Sequence, residues 1–301
     1  MLRRSLAPLC AAFAFSLLLG CGDKKKRHTD DAEIRPDPVV ASASASTSAE
    51  PIDPSITFKY TPVEIGERKQ ESWTSRTETI TNRGGQQDTV VETEASRVIY
   101  EVLATKDGVT ARERLVYDQF EEKIGPLLKP TPETLGKPYE VFLRDGVLDA
   151  VHTDGTPASP SEVSWIDGRW GLGRKEWMAD VFDGQTVRPG ETVPPLVAKL
   201  KGLLGLDSPS VNVKSERCTF EGREGRDAKF VYRFEHEVRG IAKAMVATSG
   251  TLYVSIPRGA FVQEERKTSY RSDDGQTRIE SVTNHARMSL PPAAGARSAP
   301  R

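Results

Sequence analysis

From about residue 67 onward, apolar and polar side chains alternate with a period of two over most of the chain, the spacing of half-buried β-strands. Residues 67–81, ERKQESWTSRTETIT, are rich in Thr and Ser and read as a first strand, with NRGGQQ as the turn after it. Residues 88–104 form a second, carrying Val98, Tyr100 and Val102 on one face. Lys106-Asp107-Gly108 is a hairpin turn, because Asp-Gly tolerates the positive φ that tight hairpins need. A third strand occupies 109–121, where Ala111, Leu115 and Tyr117 alternate with Arg112, Arg114 and Asp118. Prolines interrupt GPLLKPTPETLGKP. YEVFLRDGVLDAVHTDG then predicts a hairpin turning at Asp145-Gly146, with Tyr139, Val141 and Leu143 opposite Val147 and Val151.

The middle of the chain changes period. Ser159-Pro160-Ser161-Glu162 predicts a helix start, with Ser159 as cap and Pro160 at the first helical position, and Gly168, Gly171 and Gly173 break the helical pattern beyond it. RKEWMADVF (174–182) predicts a second short helix. Pro194-Pro195 introduces a third, whose Leu196, Leu200, Leu203 and Leu204 form a stripe that Gly205 terminates. Strands then return: Val211 to Phe220 as one strand or a bulged pair, Phe230, Tyr232 and Phe234 alternating with Lys229 and Arg233, and Leu252, Val254 and Ile256 before Pro257. Residues 260–271 and 277–290 read as a last hairpin around Asp273-Asp274-Gly275.

Strands, a helical insert at about 160–205, then strands again predict an α+β domain over 55–290. Its body is a long, curved antiparallel sheet, like an unclosed β-barrel, with the short insert packed on one face. This strand order and the turn VRPGETV resemble the unclosed β-barrels of periplasmic lipoprotein-carrier proteins and a broader group of bacterial lipoproteins. The resemblance implies a binding module for an apolar ligand or lipid.

The ends read differently. Met1-Leu2-Arg3-Arg4 and then an almost wholly apolar run from Leu6 to Gly20 make an export-signal pattern. Fifteen helical residues reach only ~22 Å, short of the ~30 Å hydrocarbon core of a bilayer. Leu18-Leu19-Gly20-Cys21 resembles the lipobox of bacterial lipoproteins. It implies diacylglyceryl transfer to the Cys21 sulfur, cleavage after Gly20, acylation of the new amino terminus, and a bacterial cell-envelope location held by the lipid anchor. Two or more acyl chains hold stably where one is marginal. Residues 21–54 then read as the lipidated cysteine and a disordered tether, since basic, acidic, Ala-Ser and proline stretches offer almost nothing for a core. Lys24, Lys25, Lys26 and Arg27 stand beside the anchor, as a solvated spacer or as a contact for anionic headgroups. Residues 291–301 read as a disordered tail.

Once residues 1–20 are removed the chain carries 40 basic and 43 acidic side chains, a mixed surface without the basic excess that nucleic acid selects. Cys10 leaves with the signal and Cys21 is consumed, so Cys218 stands alone and reads as a small buried hydrophobe. His152, His236 and His285 have no zinc spacing and read as surface charge, and neither a nucleophile elbow nor a phosphate-binding glycine loop occurs. No cofactor and no catalysis are expected. The one concentration of interest is aromatic: Trp165, Trp170, Trp177 and Phe182 lie close together in the insert. They read either as core covering the sheet or as the wall of an apolar ligand pocket. Two functions of different classes remain: a lipid-anchored module binding an apolar ligand or lipid, and an envelope scaffold whose partner is another envelope protein.

Overall fold

A computed structural model describes residues 55–168, 170, 172–173, 178–239 and 243–292. They belong to one unit, Pro54–Arg301. The expected signal, Cys21, the tether, the start of the second helix and most of the tail lie outside the described residues.

Thirteen strands are described: β1 (Ile56–Thr57), β2 (Arg68–Arg83), β3 (Gln86–Lys106), β4 (Val109–Ile124), β5 (Leu127–Leu128), β6 (Pro138–Arg144), β7 (Val147–His152), β8 (Thr186–Val187), β9 (Val211–Glu224), β10 (Asp227–Val238), β11 (Ala244–Ser255), β12 (Ala260–Ser272) and β13 (Thr277–Leu290). β1 and β8 pair as a short ribbon. The other eleven form one antiparallel sheet in the order β7-β6-β4-β3-β2-β13-β12-β11-β10-β9, with β5 on β4. The sheet is curved and does not close, since β7 and β9 stand at opposite ends of that order. Neighbours in sequence pair through tight turns, and Asp107-Gly108 and Asp145-Gly146 all have positive φ, as the twist of such hairpins requires. The one long-range join sits in the middle: β13 pairs β2 from Leu290↔Arg68 to Thr277↔Thr81.

Antiparallel partners share a face, so pairing assigns every inward row. In the β6–β7 hairpin Val141 pairs Ala150 and Leu143 pairs Leu148. The inward residues of β7 are therefore Leu148 and Ala150, while Val147 is 68% exposed. The expected facing of Val147 and Val151 was one residue out of register, and a slip of one reverses every side chain on a strand. β9 is a single strand made irregular where it pairs β10, with Lys214 and Glu221 left without a partner across the ladder.

Each open edge is covered over part of its length by the chain itself. Residues 156–158 lie along β7 through His152 N to Thr156 O (2.8 Å) and Ala158 N to Ala150 O (3.1 Å). Residues 190–192 lie along β9 through Gly190 N to Phe220 O (2.8 Å) and Phe220 N to Glu191 O (3.0 Å). Such cover denies a free strand its template for edge pairing.

Three helices come from the insert: α1 (Pro160–Asp167), α2 (Ala179–Phe182) and α3 (Pro194–Leu203). The first begins as predicted. Ser159 caps it, Pro160 opens it, and Glu162 returns a carboxylate to the Ser159 N–H at 2.9 Å, which completes a capping box. α3 ends where Gly205 takes φ +69°, with Leu206 N reaching Lys201 O at 2.9 Å, a Schellman closure.

The helices cover one face of the sheet in two places. Ile166 of α1 joins Val98, Tyr100, Leu115, Tyr117, Tyr139 and Val141 in a cluster over β3, β4, β6 and β7. Leu196 and Leu200 of α3 and Phe182 of α2 join Phe58, Phe220, Phe230 and Phe234 over the other end. Between these cores the inward positions of β2, β13 and β12 are mostly polar.

Candidate functional site

The polar band begins on β2, whose inward row starts Lys69, Glu71, Trp73. Across β13, Glu71 faces Arg287 and Trp73 faces His285, and on β12 His285 faces Glu264. These side chains are paired in detail. Glu71 accepts from His285 Nε2 at 2.7 Å and meets Arg287 Nη2 at 2.9 Å. Burial alone would push its carboxyl up, but Arg287 and His285 outweigh that and hold it down at about 2. Glu67 lies 3.4 Å from Lys69 Nζ and also pairs with Arg258. There too burial is overcome, by Lys69 and then Arg258, and the carboxyl is lowered. Phe261 closes the band on one side, 4.5 Å from the His285 ring and 5.7 Å from the Arg287 guanidinium.

Glu113 is the member that strand patterning would not place there. It stands on the inward row of β4 between Ala111 and Leu115 and is 5% exposed. Its Oε2 accepts from Trp170 Nε1 at 2.6 Å. Burial pushes its carboxyl up to about 7, against the opposing pull of the Trp170 hydrogen bond, Lys69 and Arg287. Trp170 also sets its ring against Tyr100, with centroids 4.7 Å apart. Trp165, from α1, meets Tyr117 at 4.5 Å and Phe120 at 5.7 Å, both edge-on. Both tryptophans are half-buried, at the border of the first core.

Of the four aromatic residues expected to act together, Trp165 and Trp170 stand in the same cluster. Phe182 is fully buried in the other core, 4.6 Å from Phe58 and 5.1 Å from Phe230. Trp177 lies outside the described residues, as does Cys21. An open cleft elsewhere, between α3 and β9, is lined by Val197, Ala198, Lys201 and Glu216 and by neither tryptophan.

The histidines correct the expectation of surface charge. His285 is bound into the band, His152 sits 3.5 Å from Glu162 with its ring against Tyr139, and His236 is buried. Burial lowers the pKa of His236, which favours the neutral ring. Among the described residues no three of His, Cys, Asp and Glu are grouped to hold a metal ion. Cys218 is free and wholly inside the second core, and burial pushes its thiol up to about 12, far from a nucleophile's range.

Two further buried carboxylates, Glu162 and Glu264, are satisfied by their own neighbours. Glu162 of the capping box also accepts from Tyr139 Oη at 2.7 Å and pairs with Lys137 at 2.8 Å. Lys137, the Ser159 N–H and Tyr139 hold its carboxyl well below the usual range. Tyr232 donates to Glu264 by crossing β11 at Gly250, the only residue type without a side chain in its way.

Neither a protein-family model nor a curated protein matches the chain. Among solved structures, a lipovitellin structure concerned with lipid–protein interactions is similar at 10% identity and a TM-score of 0.38, over 78% of this chain and 26% of that one. DynF, from the dynemicin biosynthesis pathway of Micromonospora chersina, is similar at 11% identity and a TM-score of 0.20, over 83% and 94%. A DUF1329 family protein from Desulfovibrio piger is similar at 12% identity and a TM-score of 0.17, over 75% and 87%. The chain thus spans about a quarter of lipovitellin, and likeness at this level transfers neither activity nor ligand.

Proposed function

We propose that this protein is a lipid-anchored lipoprotein of the bacterial envelope whose curved sheet is a non-catalytic binding module for an amphiphilic lipid or other apolar ligand. The observation that carries this reading is the border between the first core and the polar band. There two half-buried tryptophans, Trp165 and Trp170, stand beside Tyr100, Tyr117 and Phe120, and Trp170 is hydrogen-bonded to the buried Glu113 carboxyl. An aromatic wall against a charged floor suits a molecule with an apolar body and a polar head. The envelope location rests on the lipobox-like Leu18-Leu19-Gly20-Cys21. The absence of catalysis is inferred from the histidines' engagement within the fold and the unreactive setting of Cys218.

The scaffold alternative draws on one feature. Leu127 and Leu128, which form β5, are 70% and 62% exposed. The chain that lies along part of β7 and part of β9 narrows the edge left for a partner that binds by strand addition.

Two measurements test the proposal. Tryptophan emission of the purified protein is expected to shift on adding lipid extract, less so in Trp170→Phe, with lipid co-purifying by native mass spectrometry. Unchanged emission together with no bound lipid would leave the scaffold reading. Cys21→Ala is expected to abolish palmitate labelling and membrane fractionation, and labelling that persists refutes the anchor.

A further inference from the structure

Trp170 meets Glu113 at the edge of a group of charged side chains. Lys69 and Glu71 come from β2, Arg287 and His285 from β13, and Glu113 from β4. Glu67, just before β2, adds a carboxylate that Arg258 also holds. The facing positions on β3 and β6, Tyr100, Val102 and Val141, add no charge. On β12, Glu264 faces His285 and Arg266 lies over Trp73, so four carboxylates stand against four permanent cations and one histidine. Glu71 and Glu67 are each held ionised by two basic partners, whereas the hydrogen bond described for Glu113 comes from the neutral Trp170 indole. Of the three, Glu113 is the carboxylate that gives up its charge most easily.

Resting on the reading of this protein as an amphiphile-binding module, we propose that the cluster of Lys69, Glu113, Arg287 and Trp170 is an anion site, which takes the acidic head of an amphiphile together with one proton. With Glu113 neutral, the permanent cations of the band, Lys69 and Arg287 among them, exceed the remaining carboxylates by one charge. An incoming carboxylate or phosphate oxygen restores the balance. The proton from solvent rests on Glu113, whose O–H donates to that oxygen. Trp170 Nε1–H, which accepts nothing, turns its donor from Glu113 to the same head. One O–H bond forms on Glu113 with a proton given up by solvent, no other covalent bond changes, and the site gains one negative charge and one positive. The aromatic side chains of the first core lie where the apolar body of such a ligand begins. Burial already brings Glu113 to about neutrality, so the proton costs little near pH 7.

The test is calorimetric titration of the full chain carrying Cys21→Ser with sodium laurate below its micelle concentration, at pH 8, in buffers of different ionisation heat. About one proton is expected to enter per laurate bound, because a group titrating near 7 is mostly ionised at pH 8. Glu113→Gln, which imitates the protonated acid, is expected to bind laurate about tenfold more tightly at pH 8 with no proton uptake, the difference vanishing at pH 6. Lys69→Met, checked for intact structure by circular dichroism, is expected to lose laurate binding at least tenfold while keeping that of uncharged 1-decanol. Laurate binding without proton uptake, or an unchanged pH profile in Glu113→Gln, overturns the proposal and leaves the amphiphile reading standing. Acetate binding as tightly as laurate shows a small-anion site and overturns it as well. Failure of both laurate and decanol to bind removes the amphiphile reading itself.

Discussion

Glu113 and Glu71 lie in the same band and pull stability in opposite directions with pH. The Glu113 carboxyl is raised from its ordinary 4.5 to about 7, so the folded state holds a proton that the unfolded chain releases between those values. Its contribution is present below about pH 4.5 and is lost as pH rises through 7. Glu71 is depressed to about 2, so its contribution is present above 4.5 and is lost only as pH falls toward 2. Glu113→Gln should therefore stabilise the protein at pH 8 by up to about 3 kcal/mol, at 1.36 kcal/mol for each pH unit between 4.5 and about 7, and do little at pH 5. Urea denaturation at the two pH values measures this, and equal effects at both would refute the assignment. Gly250 makes a second residue-scale prediction. A Cβ there would stand 2.6 Å from Glu265 O and collide with the Tyr232 ring. Gly250→Ala is expected to cost at least about 2 kcal/mol, the range for overpacking a closed site. Alternation did not mark Glu113 as buried, since a charge interrupts the row Ala111, Leu115, Tyr117 there. Its partners were no more legible, because β2 has too few apolar residues to reveal which of its faces is buried.

Elements were legible where local chemistry determines them. Ser159-Pro160-Ser161-Glu162 carries a capping box in four residues, and both of its reciprocal bonds form. Ser159→Ala should cost about 1 kcal/mol and fray the first turn of α1, read by thermal melting and by faster exchange of the Glu162 amide. A melting temperature within error of the parent would show that Tyr139 and Lys137 hold Glu162 without the cap. The β6–β7 hairpin shows the limit of pattern alone. Val147, Leu148 and Val151 are all apolar, so either phase satisfies alternation. The two-residue turn settles it by pairing Arg144 with Val147, which turns Leu148 and Ala150 inward. The helical insert likewise has one sequence origin but divides its cover between two cores, since α1 and α3 meet different ends of the sheet.

At the scale of the whole molecule, the pairing of β2 with β13 joins the two halves of the sheet across more than 200 residues of sequence. Thr77 and Ser281 sit in that seam, their hydroxyls 3.0 Å apart. Amides in the middle of β2 and β13 are expected to exchange only through global unfolding, since opening the seam separates the two cores. Exchange there that is faster than in β10 and β11 would show that the halves open independently. The sequence by itself determined the strands, their tight turns, the helix caps and the antiparallel class, because alternation, Asp-Gly turns and capping side chains act over a few residues. The envelope location proposed above rests on the sequence alone, at Leu18-Leu19-Gly20-Cys21. Only the tertiary structure decided that the first and last long strands pair, that Trp170 meets Glu113, and that Phe182 parts company with Trp165 and Trp170. Those choices depend on contacts between residues tens to hundreds of positions apart, which no local periodicity encodes.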